Sequence, residues 1–387
     1  MTAEVGTAEL RGGAGVVVVG GGVIGLACAW RAASQGLDVT LIDAGAERPA
    51  ASDVAAGMLA PIGEASWGEE RLLRLGVASA ARWQAFAAEL EAAAEMPVPY
   101  RRCGSLHIAL DRDEAAELQR RYALQGGLGE GVEWLSASRC RELEPGLAPI
   151  VAGAIHVPDE AEVDPRALLA ALRRACERVG VRRLGAVVAK LERSADGVHG
   201  ARLADGEVIA ADEVVLAAGA WSGLAATELP VRPVAGETVR LRATACELPC
   251  ERIVVSERVY VVPRAGGEVV LGASVEERGF DARVKAGGVH ELLREAYRAL
   301  PEIAELELLE FGAGLRPGTP DNAPILGRAE VDGLILANGH YRNGILLAPI
   351  TADGVAALLR GEPAPSEFDG LGPERFAVST PRERALS

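Results

Sequence analysis

Three glycines, Gly20, Gly22 and Gly25, stand in G-x-G-x-x-G spacing directly after four consecutive valines, and Asp43 closes the next apolar run. This is the residue set that binding a dinucleotide needs. Gly20 makes a tight turn, Gly22 lets the backbone approach a pyrophosphate, and Gly25 lets a helix lie against the preceding strand. The free N–H groups and partial positive charge of the helix start, at Val23 and Ile24, favour phosphate. Asp43 can accept hydrogen bonds from a ribose. No histidine or glutamate stands out as a catalytic base. The six cysteines (28, 103, 140, 176, 246 and 250) contain no C-x-x-C pair, so reduced thiols and no metal site are expected. The glycine motif alone also admits an NAD-dependent dehydrogenase.

These residues require a strand–helix–strand unit, and the stretch Val16–Asp43 supplies one. Its β-branched opening fits a strand buried on both faces. Small residues then recur at helical period as far as Gln35, Gly36 suits a left-handed cap, and Asp38–Asp43 reads as the next parallel strand. Further along, the segment AASDVAAGMLAP (51–61 with its flanks) fits either backbone packed on a flat ligand or an ordinary Gly/Ala loop. Glu70–Glu95 reads as one long helix stopped by Pro97 and Pro99. A strand is expected over Gly104–Leu110 and a helix over Asp113–Gln125. Asp164 and Pro165 cap and start another helix, ended by Gly180.

Short strands follow over Val181–Val188, Ala201–Leu203 and Glu207–Ile209, joined at Asp196-Gly197 and Asp205-Gly206, with a separate buried strand in Glu213–Ser222. A hairpin is expected over Tyr260–Pro263 and Glu268–Leu271, and a helix over Gly288–Leu300. Gly312–Pro320 reads as a turn-rich loop carrying one arginine. Leu334–Ala337 then leads through a glycine-flanked turn into a helix over Ile345–Leu359. The alternation predicts an α/β (α+β) chain: a discontinuous nucleotide domain from 15–83, 150–224 and 312–362, a second domain from 84–149 and 225–311, and loose tails at 1–14 and 363–387.

With 387 residues the chain can hold two cores. A net charge of −15 excludes a nucleic-acid binder, which needs a concentrated positive field. The apolar segment Val16–Trp30 is too short to span a membrane, and a cytoplasmic location is expected.

The segments VVVVGGGVIGLACAWRAASQG, AAGMLAP, VVLAAGAWS, YVVPR, GLRPGTPDNAPILG and NGHYRNGILLAP together resemble the D-amino-acid oxidase family of FAD-dependent amine oxidases, its glycine-oxidizing branch of thiamine biosynthesis above all. The resemblance implies a glutathione-reductase-like FAD-binding Rossmann domain and a substrate domain built on a large antiparallel or mixed sheet. It implies hydride transfer from Cα of glycine or another small amino acid to flavin N5, reoxidation by O2 to H2O2, and an imine that hydrolyses to glyoxylate and ammonia or passes to a thiazole synthase. It further implies a homo-oligomer. Sarcosine or D-amino-acid oxidation, or electron transfer to a quinone, is the alternative within the family.

By the same resemblance Arg316 pairs with the substrate carboxylate, Tyr260 hydrogen-bonds it, and Arg342 lies near the active site. Ala56, Gly57, Met58, Val188, Ala218, Gly219, Gly339, Arg342, Asn343, Gly344, Ile345 and Leu346 join the glycine motif in holding FAD. A helix starting near Gly344 is expected to stabilise negative charge on the reduced flavin. His340 is expected to be structural. Two departures, Val275 in place of a larger side chain and Arg258 in place of a histidine-like residue, are expected to reshape the pocket. No cysteine lies in Leu315–Gly327, so the FAD is expected to be dissociable.

Overall fold

The valine run forms the strand Ala14–Val19, which pairs in parallel with Val208–Leu216 on one side and Val39–Asp43 on the other. Enclosed on both edges and faces, Val17 and Val18 are fully buried, as a β-branched run in a parallel sheet requires. The structure, a computed structural model, describes residues 14–45, 50–125, 131–225, 229–244 and 248–376. Cys246 and much of both predicted tails lie outside them; the other five cysteines are free thiols.

Two eight-stranded sheets dominate. The first adds Arg182–Gly185 beside Val39–Asp43, and a hairpin of Val188–Ser194 and Gly197–Leu203 at the opposite end. Leu334–Asn338 joins it parallel to Val208–Leu216, with Ile325–Arg328 beyond. Helix Val23–Ser34 and the Asp164-capped helix Pro165–Arg178 pack against it. In the second sheet Glu307–Gly318 lies at the edge, then Arg232–Arg242, Glu268–Gly272, Tyr260–Pro263, Ile253–Val255, Ser105–Ala109, Gly153–Val157 and Glu133–Ser136. Its pairs are antiparallel except Ile253–Val255 with Ser105–Ala109, so the sheet is mixed.

Several sequence expectations change. The long helix over 70–95 is two, Glu70–Ala80 and Trp83–Ala94. Ser79 Oγ and Trp83 Nε1, on either side of the break, both donate to the Leu346 carbonyl, at 2.6 and 2.9 Å, which holds the bend in place. The segments Glu207–Ile209 and Glu213–Ser222 share one strand, Val208–Leu216. The loop expected at Gly312–Pro320 is the end of the strand Glu307–Gly318. Its glycines report close packing rather than turning. A Cβ on Gly312 would stand 3.0 Å from Val54 Cγ1, and one on Gly314 3.1 Å from Ala51 Cα.

The domain boundaries move accordingly. Trp83–Ala94 packs into the first core, while Gly153–Val157 and all of Glu307–Gly318 belong to the second sheet. Residues 363–376 are not a loose tail. Phe368 packs on Gly354, and Leu371 is fully buried with its carbonyl accepting from Leu326 N at 2.9 Å.

Candidate active site

A cavity of about 380 Å³ runs from the glycine loop of the first sheet to the face of the second. At its first end Gly20 adopts φ +112°, and Gly21 N donates to Asp43 Oδ1 at 3.3 Å, so the acid lies directly over the turn. Gly25 is not on the cavity. It works from behind, because any Cβ there would run into the Gly20 carbonyl and lift the helix off the strand. Gly22, Val23 and Ile24 line the cavity at the helix start. Ser52 was missed by sequence reasoning; its Oγ accepts from Val23 N at 3.2 Å and it too faces the cavity.

The strip Ala56, Gly57 and Met58 lines the middle. Its carbonyls are tied down from beneath. Arg264, the last residue of YVVPR, hydrogen-bonds Ala56 O and ion-pairs with buried Glu162, and Val163 N donates to Gly57 O at 3.0 Å. The strip therefore faces the cavity with its backbone held fixed. Val188, Ala218 and Gly219 line the cavity from the first sheet.

At the far end stand Arg316 and Tyr260. Arg316 pairs in register with Val234, and its guanidinium lies over the bare face of Gly236, donating to Ser274 O at 3.0 Å. Tyr260 pairs with Gly272, whose missing side chain leaves room for the phenol ring. Burial pushes the Tyr260 hydroxyl pKa up, with the neighbouring Arg316 acting against it. The phenol stays protonated and able to donate. Arg342 reaches the same cavity, stacked 5.4 Å from the Tyr341 ring centroid, with Glu69 4.0 Å from its Nη2.

The helix expected from Gly344 begins at Ala348. Pro349 has no N–H to contribute and sits in its first turn. Before it the chain makes tight turns, with Asn343 N donating to His340 O and Leu347 N to Asn343 O, each at 2.8 Å. Gly344 and Ile345 line the cavity from these turns, not from a helix terminus. Gly339, Asn343 and Leu346 do not line it. Gly339 takes φ +71° against Thr319, Asn343 faces the Glu70–Ala80 side, and Leu346 holds the helix bend.

His340 is buried, 3.1 Å from Thr351 Oγ1, and desolvation lowers its pKa to about 3. It is neutral, and it too lines the cavity. Of the two departures, Val275 sits at the cavity with 60% of its surface exposed. Arg258 contributes to the wall, but its guanidinium is directed to Glu291 at 3.4 Å. Sequence reasoning also passed over Glu64, a cavity-lining acid whose only signal was being the one charged residue in the stretch from 54 to 68. Among the described residues no cluster of metal ligands occurs, and no helix is long and apolar enough to cross a membrane.

A family model described as FAD dependent oxidoreductase (DAO) matches residues 15–358. The chain belongs to the DAO family of FAD-dependent oxidoreductases. Glycine oxidase of Geobacillus kaustophilus is 36% identical over 350 residues, covering 89% of this chain and 92% of that protein. The crystal structure of that enzyme superposes with a TM-score of 0.88 at 34% identity, covering 94% of this chain and 99% of the other. An iminodiacetate oxidase from Chelativorans sp. BNC1 superposes with a TM-score of 0.85 at 28% identity, covering 92% of this chain and 98% of that one. The bifunctional protein ThiO/ThiG of Nostoc sp. is 35% identical over 373 residues, 95% of this chain, but this chain spans only 56% of its length.

In this DAO-family oxidoreductase the residues present fit FAD. The glycine loop with Asp43 above it would hold a pyrophosphate and ribose, and the cavity continues along the pinned 56–58 strip.

Proposed function

We propose that the protein oxidizes glycine and other small amino acids or amines, with FAD held by Gly20, Gly22, Val23, Ile24, Asp43, the 56–58 strip, Val188, Ala218, Gly219, Gly344 and Ile345. One observation carries this reading. The cavity that begins at the dinucleotide fingerprint ends at Arg316 and Tyr260, a planar guanidinium and a protonated phenol side by side. A guanidinium fork matches a carboxylate with two parallel hydrogen bonds, and the phenol adds a third donor. The pair fixes the carboxylate, and with it the neighbouring Cα, at one end of the cavity.

Bound FAD would supply the two-electron acceptor for a hydride from Cα of the substrate in its neutral-amine form, the ammonium proton having gone to solvent, with O2 as the final oxidant giving H2O2. The chain's own residues orient the substrate and exclude water. Positioning of this kind is worth many orders of magnitude in rate without a protein base. The likeness to the glycine oxidase of Geobacillus kaustophilus, in sequence and in structure, supports glycine as substrate. The iminodiacetate oxidase supports a site that also takes secondary amines. The two-part ThiO/ThiG relatives support delivery of the imine to a thiazole synthase; otherwise it hydrolyses to glyoxylate and ammonia.

The test is anaerobic addition of glycine, sarcosine and D-alanine to the purified yellow protein. Bleaching of the flavin band by glycine, reversed by air with peroxide formed, is the expected result. Bleaching by sarcosine or D-alanine alone would move the substrate assignment, and bleaching by none of the three would overturn it.

A further inference from the structure

The zwitterion proposed as substrate carries an ammonium group as well as a carboxylate, and the site described so far answers only the carboxylate. Glu64 lines the same cavity as Arg316, Tyr260 and Arg342. Among the described residues no hydrogen bond or ion pair closes on its carboxylate, whereas Arg342 already has Glu69 at 4.0 Å. Burial pushes the Glu64 pKa up while Arg342 and Arg316 draw it down, which places the acid within the electrostatic reach of both arginines.

The backbone just before Glu64 is gripped from both sides. Gly63 N donates to Glu160 Oε1 at 2.6 Å, and Gly63 O accepts from Arg121 Nη2 at 2.6 Å. Glu160 is itself 2% exposed and hydrogen-bonded by Ser105 Oγ. The fit is so close that a side chain on Gly63 would run into His107 and Glu160. An ordinary surface loop does not need a buried carboxylate and a part-buried guanidinium on the two sides of one residue.

We propose that Glu64 is the binding residue for the substrate ammonium group, and that Glu160 and Arg121 are positioning residues that hold it toward the cavity. This assignment rests on the amino-acid oxidase reading above. A desolvated carboxylate opposite a carboxylate-binding arginine makes the site complementary to a zwitterion and indifferent to a plain acid. The alternative role, offsetting the charge of Arg342, treats both ligands alike.

The experiment compares the wild-type and Glu64→Gln holoenzymes with glycine, read as the concentration that half-reduces the flavin anaerobically, and with acetate, read as its inhibition constant. Glutamine keeps the shape, and flavin content checks that the site is intact. We expect the glycine value to rise roughly 30-fold or more and the acetate value to change less than about threefold. Arg121→Met should shift the glycine-to-acetate ratio in the same direction. Equal weakening of both ligands by Glu64→Gln, or no change with glycine, would overturn the assignment, and an unshifted ratio in Arg121→Met would overturn the positioning role. A wild-type holoenzyme that no amino acid reduces would fault the oxidase reading as well; a wild type reduced by glycine beside an unaffected Glu64→Gln faults this inference alone.

Discussion

Gly236 leaves the space in which the Arg316 guanidinium lies: a Cβ built on Gly236 would collide with both terminal nitrogens of that arginine. The two residues sit on neighbouring strands, Arg232–Arg242 and Glu307–Gly318. Arg316→Ala should raise the Michaelis constant for glycine roughly a hundredfold, the equivalent of about 3 kcal/mol for a lost charged pair. Gly236→Ala should move it in the same direction by displacing the guanidinium. Steady-state kinetics with the flavin content measured in parallel checks both. Normal kinetics in Gly236→Ala would mean that Arg316 acts from another position.

Asp43 lies over the glycine turn, accepting from Gly21 N. Asp43→Ala should weaken FAD retention by about 1–3 kcal/mol, roughly five- to a hundredfold in dissociation constant. Dialysis followed by the flavin-to-protein absorbance ratio reads this directly. Full retention would remove Asp43 from the ribose role.

Arg264 and Glu162 are both almost completely buried, and Arg264 also holds the Ala56 and Val163 carbonyls. Removing Arg264 leaves buried Glu162 with only the part-exposed Arg101, 3.2 Å away, as a charged partner. Arg264→Ala should therefore destabilise the fold by about 3–5 kcal/mol. The denaturant midpoint would fall accordingly, and the loosened 56–58 strip would release FAD. A midpoint within error of wild type would show that water or another cation replaces the arginine.

His340 is buried and neutral, its pKa lowered to about 3 by desolvation. Its folded pKa lies below the unfolded value of about 6.5, so the unfolded chain binds the extra proton between those limits. Its contribution to stability is complete above pH 6.5 and falls by about 1.4 kcal/mol per pH unit as the pH drops from there toward 3. His340→Gln should flatten that part of the profile. Denaturation at pH 4.5 and 7.5 measures the difference, and equal pH slopes in variant and wild type would refute the assignment.

The strand–helix–strand unit, the Asp164-capped helix and the hairpin over 260–272 were legible because each is encoded within a few residues of itself. Glycine spacing, a capping acid with proline, and alternating apolar residues act over one turn or one strand. Glycine itself was the ambiguous letter. Gly20, in the left-handed region, does make the turn its motif predicts, but Gly312 and Gly314 are bare because Val54 and Ala51 press on the strand, a contact across more than 250 residues of sequence. The start of the last helix was misplaced for a related reason. Its apolar pattern runs on from Ile345, but hydrogen bonding in the preceding turns and Pro349 decide where the helix begins.

The sequence by itself determined the glycine turn at Gly20–Gly25 with Asp43 over it, since those residues meet within one βαβ unit and their geometry is local. Only the tertiary structure decided which side chains share the far end of the cavity that starts there. Arg316, Tyr260 and Arg342 were expected there only through the family resemblance, and Glu64 not at all; the four come from separate segments. They share a cavity because the second sheet packs with its glycine-bared face, Gly236 and Gly272, toward the first, and side-chain convergence of that kind is set by packing between layers rather than by any periodicity along the chain.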